Sequence, residues 1–139
     1  MRTSEVPHAD LNIAIRYNRY NVSVILRKDR KDMVSIVSRQ NFSAQDKRIF
    51  SQLTEEKKKL FFEDLEFSLL PMNVSYMVHP DRNVLEYVHI EKSIYFDGLT
   101  KDRFYDSIFA VVRALHMTSL IYIKHLKLGS RTSSPLFIQ

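Results

Sequence analysis

The chain has 139 residues, 45% of them hydrophobic and 12% aromatic, with 21 Lys and Arg against 16 Asp and Glu for a formal charge of +5. That is enough apolar material for the core of one domain, residues 1–139, and too short a chain for two. With no cysteine, disulfides, thiolate nucleophiles and sulfur-based zinc sites are excluded, and two glycines are too few for a glycine-rich phosphate loop.

Residues 1–10 are mixed and polar, without the apolar stretch of a secretory signal, so they read as a short stub on a cytoplasmic protein. Leu11, Ile13 and Ile15 then alternate with Asn12, Ala14 and Arg16, the period of a strand with one face on a core. Residues 18–21 supply an asparagine-rich turn, and Val22, Val24 and Leu26 repeat the alternation. A charged tip follows, in which Arg27, Lys28, Arg30 and Lys31 are interleaved with Asp29 and Asp32. A third strand is predicted over 33–38, and connections this short force an antiparallel meander.

The period then changes. Ser43 with Asp46 three residues on reads as an N-cap, and Ile49, Phe50 and Leu53 follow at helical spacing. Thr54 before Glu55 and Glu56 marks a second cap, so the region is predicted to break near Thr54, and Pro71 ends it. The adjacent Phe61 and Phe62 widen the apolar stripe beyond what one face requires. Phe61, Phe62 and Leu65 are therefore the expected contact with a second subunit or partner.

Strands return over 74–78 and 84–90, with 92–96 either continuing the second or standing alone. Alternation places Ile25, Val37, Met77, Leu85 and Tyr87 on the sheet face opposite the main apolar set, so this sheet carries apolar side chains on both faces. Thr100 caps a long final helix that is apolar almost all the way round from 108 to 123, apart from Arg113 and His116. It falls short of the roughly 20 residues a bilayer needs and holds an arginine, so it reads as a buried helix of a soluble protein. Lys124, His125 and Lys127 suit its C-terminal pole, with Gly129 as the cap. Residues 130–139 form a polar tail ending in Leu136, Phe137 and Ile138, which reads as a flexible terminus, or more sharply as an added edge strand.

Five scattered histidines have no second ligand at a useful spacing, so no metal, cofactor or catalytic site is expected. His116 reads as a hydrogen-bonded core residue. The fold class is α+β, an antiparallel sheet in the order β-β-β-α-β-β-α with helices packed on it.

That order, together with VHIEKSIYFDGLTKDRFYDSIFAVVRALH and the pattern around Ile94, Asp97, Leu99 and 104–115, resembles a family of small uncharacterised archaeal proteins with the type III secretion chaperone-like fold. The resemblance implies a helix-plus-sheet sandwich that dimerises and meets a protein partner. The reading that follows is a non-enzymatic, homodimeric protein-interaction or chaperone-like module. The alternative is a nucleic-acid-associated protein in which Arg27, Lys28, Arg30 and Lys31 take phosphates beside Tyr17 and Tyr20.

Overall fold

Alternating residues from both ends of the chain build one sheet. The computed structural model describes residues 2–3, 9–17, 19–81 and 84–127. Strands β1 (Arg2–Thr3), β2 (Ala9–Tyr17), β3 (Tyr20–Arg27), β4 (Met33–Asn41), β5 (Ser75–Pro80) and β6 (Leu85–Tyr95) form it in the order β1-β2-β3-β4-β6-β5. Every neighbouring pair is antiparallel. The two-residue β1 gave no alternation to read, because two residues do not make a period. Residues 85–95 are one continuous strand, so the separate strand over 92–96 is not formed.

Side-chain hydroxyls start each helix where the sequence placed them. Ser43 Oγ accepts the Asp46 N–H at α1 (Ala44–Ser51), Thr54 Oγ1 that of Lys57 at α2 (Glu55–Leu69), and Thr100 Oγ1 that of Arg103 at α3 (Lys101–Tyr122). A 3-10 turn carrying Pro71 ends α2, and Asn73 turns the chain in the left-handed region at φ 56°. The α-helix of α3 stops at Tyr122, and 123–127 form a π-helical turn. The predicted cap at Gly129 and the tail over 130–139 lie outside the described residues.

The helices cover one face of the sheet. On that face Ile13 pairs with Val24, Val24 with Ile36, Val34 with Ile94 and Tyr76 with Ile90. Helix α3 lies across β3, β4 and β6, burying Ile108, Val111, Leu115 and Ile121, while α2 packs against its side. This double cover explains why α3 is apolar over so much of its circumference. It is long and apolar enough to cross a membrane, but over half of its most apolar stretch is buried inside the chain.

Phe61, Phe62 and Leu65 are only 0%, 5% and 0% exposed, so the subunit contact expected there is corrected to intrachain core. The reason is a ring cluster that the sequence spacing did not reveal. Phe61 meets Phe50 at 5.6 Å, Phe62 at 5.1 Å and Tyr122 at 5.9 Å between centroids, and Phe42 packs edge-on against Tyr122 at 4.1 Å. The extra apolar width falls instead on Leu60 and Phe67 of α2 and on Leu70 just after it, which are 50%, 77% and 74% exposed. Asp64 fastens α2 to the end of α3 through Lys124 Nζ and His125 Nε2, each 2.9 Å from Oδ2. The bonds from His125 and then Lys124 hold the Asp64 carboxyl below the usual carboxylate range.

Candidate functional site

No described helix covers the second face of the sheet. Its pairs are Asn12 with Ile25, Ser23 with Val37, Ser35 with Ser93, Arg39 with His89, Met77 with His89 and His79 with Tyr87. Ile25, Val37, Met77 and Tyr87 therefore lie where alternation predicted. Leu85 does not: the register shifts between His79 and Pro80, and Leu85 joins the main core on the helix side.

Two side-chain groupings structure this open face. In the first, Arg27 on β3 reaches across β4 to Glu91 on β6, with Nη2 3.0 Å from Oε1. The same oxygen lies 3.1 Å from His89 Nε2, and Ser35 Oγ meets Ser93 Oγ at 2.9 Å beside the ion pair. The His89 bond lowers the Glu91 pKa most, the Arg27 charge adds to it, and partial burial opposes both. In the second, the Arg39 guanidinium lies 4.1 Å from the Tyr87 ring centroid, and His79 stacks on Tyr87 at 4.6 Å.

Beside these groups the sheet forks. Strands β3 and β4 pair only from Ser23 with Val37 to Ile25 with Ser35. Beyond that point 20–22 remain paired to β2, and 38–41 to β6, but not to each other. Only a short hydrogen bond from Ser38 Oγ to the Asn21 carbonyl crosses the gap among the described residues. On the helix side the Tyr122 hydroxyl donates to the Gln40 carbonyl at 3.1 Å. Burial raises the Tyr122 pKa, and the charge of Asp46 raises it further, so the hydroxyl stays a donor. The fork opens a cleft of about 640 Å³ that cuts through the sheet to Leu115 of α3. Arg19, Arg27, Arg39 and His89 line it, with Glu91 just behind Arg27 and His89 as their shared carboxylate. Two buried polar atoms there have no hydrogen-bond partner, Asn12 Oδ1 and Arg27 Nε.

The remaining candidates are dispersed. Of the basic hairpin residues, Arg27 is engaged by Glu91, and Arg30 Nε lies 3.2 Å from Asp32 Oδ1 with its Nη2 3.2 Å from the Tyr95 hydroxyl. The Arg30 bond lowers the Asp32 pKa. Lys28 and Lys31 are exposed. His116 is exposed rather than in the core, because α3 turns that position toward Tyr20 at the start of β3, whose hydroxyl lies 3.0 Å from its Nδ1. Among the described residues no group of three or more His, Asp or Glu is placed to hold a metal ion. Sequence reasoning missed Arg39, His89 and Asn12, whose only signal is strand register: Arg39 and His89 are 50 residues apart and become neighbours through the β4–β6 pairing.

Residues 1–121 match the model of a family described as "Uncharacterized conserved protein (DUF2299)". The chain belongs to the DUF2299 family. Among solved structures, the DUF2299 chain is similar to an uncharacterized protein from Methanothermobacter thermautotrophicus at 25% identity and TM-score 0.80, covering 90% of this chain and 88% of that one. It is also similar in fold to a chain of the ExsC–ExsE complex, at 13% identity and TM-score 0.54 over 81% of this chain and 77% of the other. The type III secretion chaperone-like α+β fold expected from the sequence is the one found. No curated protein matches the DUF2299 chain in sequence.

Proposed function

We propose that this DUF2299 chain is a non-enzymatic, chaperone-like protein-interaction module, cytoplasmic and homodimeric, which receives a partner protein on the sheet face its helices leave uncovered. The observation that carries the reading is that face itself. A sheet buries one side against α1, α2 and α3, while the other side has no described helix on it and carries Ile25 and Val37, only 9% and 8% exposed, beside the partly exposed Tyr87 and the 64% exposed Met77. Apolar side chains on both faces call for a second cover, and such patches mark protein contacts. The ExsC neighbour, which was solved in complex with ExsE, supports a protein rather than a small molecule as that cover.

Self-association has a different support. Leu60 and Phe67 lie seven residues apart on α2, and Leu70 opens the 3-10 turn after it; all three are exposed apolar side chains that a second copy would shield. The nucleic-acid alternative on Arg27, Lys28, Arg30 and Lys31 has less to draw on, because Arg27 and Arg30 already have Glu91 and Asp32 as partners.

A photo-crosslinking residue at Met77 tests the reading. It is expected to give a discrete protein adduct in cells of the native source, while the same residue at the exposed Lys101 on the helix side gives none. Equal adducts at both positions, or none at Met77, would overturn it.

A further inference from the structure

The fork between β3 and β4 is an opening in the middle of a sheet, where strand pairing is normally continuous. Two short runs, 20–22 and 38–41, have strand partners on one side only. Unpaired strand edges recruit another extended chain, since backbone N–H and C=O groups left without partners are costly. The β4 run of about four residues spans ~13 Å, the length of an extended segment of similar size.

Side chains around the opening specify more than backbone pairing. Asn12 is 8% exposed, and its Oδ1 has no donor, while Arg27 Nε has no acceptor. Both atoms are fully buried, so a bound chain meets them only where the cleft wall yields, and a peptide group supplies both the N–H and the C=O they lack. A bare inorganic anion accepts only and leaves Asn12 Oδ1 unsatisfied. Charge then narrows the choice. Of the basic groups lining the cleft, Arg27 and His89 share Glu91, which leaves Arg19 and Arg39 as its positive charge. Arg39 Cζ lies 4.1 Å from the Tyr87 ring centroid, a contact that holds the guanidinium in place while its N–H donors can still meet a carboxylate.

We propose that the fork receives an extended, acidic segment of the partner protein, whose backbone fills the gap between β3 and β4 and whose carboxylates meet Arg19 and Arg39. This assignment rests on the protein-interaction reading above and specifies the chemistry of the partner. Acidic character offsets the positive cleft at contact and speeds encounter at low salt.

The test selects binders from a phage-displayed library of random peptides on the full chain, then titrates the synthesised winners into isotope-labelled protein. Expected are winners rich in Asp and Glu, amide shifts concentrated in 19–23 and 37–41, and affinity that falls steeply with salt. Arg39→Glu and Arg19→Glu, with unchanged melting temperatures, each weaken binding by about tenfold or more. Neutral or basic winners, or shifts centred on α2, would overturn the acidic fork while leaving the module reading standing. Inorganic phosphate alone reproducing the shifts would reduce the site to an anion site and overturn the peptide assignment. No enriched peptide at all would count against both.

Discussion

Phe61→Ala removes the ring at the centre of the helix-side core. Phe61 is fully buried and touches Phe42, Phe50, Phe62, Tyr122 and His125, with centroids between 5.1 Å (Phe62) and 6.2 Å (Phe42). Truncating a buried phenylalanine costs about 3–5 kcal/mol, from lost transfer energy and the cavity left behind. Five ring partners that cannot all collapse into the gap favour the upper half, about 4 kcal/mol. Against a typical total of roughly 5–15 kcal/mol this is a large share. At roughly 3–5 °C per kcal/mol for a chain of this size, melting falls on the order of 15 °C. Urea unfolding gives the loss, and light scattering gives the mass of the folded variant. The account expects a much lower midpoint with unchanged oligomeric mass. A near-normal midpoint with a halved mass would return Phe61 to a subunit interface and refute the packing argument.

The mirror experiment is Phe67→Glu on the outer stripe of α2, expected to halve the mass by light scattering while shifting the melting temperature little; an unchanged dimer would remove that stripe as the self-contact. Thr100→Ala deletes the N-cap of α3 and is expected to cost about 1 kcal/mol by thermal circular dichroism, with a value near zero contradicting the cap. Glu91 and Asp64 have folded pKa values below their unfolded ones, so their contributions are present above the unfolded carboxylate value of about 4 and lost as pH falls through the folded ones. Urea midpoints measured from pH 6 down to pH 2 should therefore fall, and Glu91→Gln should flatten part of that fall; an equal slope in the variant would deny the Arg27–Glu91–His89 linkage.

Much of the fold was legible because its signals are local. Ser43, Thr54 and Thr100 stand at helix starts for a reason each segment carries by itself, and period-two runs mark β2 to β6. What failed depends on contacts between distant residues. The width of the apolar stripe on α2 was visible, but which half of it the core takes is decided by Phe42, Phe50 and Tyr122, contributed by other elements. Leu85 was misplaced because a register shift near Pro80 breaks the alternation. The fork was not legible at all, since β3 and β4 each keep good strand patterns and part company only in pairing.

Amide hydrogen exchange, read residue by residue on the free chain and again with a bound acidic peptide, tests the central claim most directly. In the free chain, amides of 23–25 and 35–37 are expected to exchange slowly, cleft-facing amides of 20–22 and 38–41 quickly, and the second group to slow on binding. Slow exchange across both groups before any ligand is added would mean a closed sheet, and protection appearing only on α2 would put the partner elsewhere.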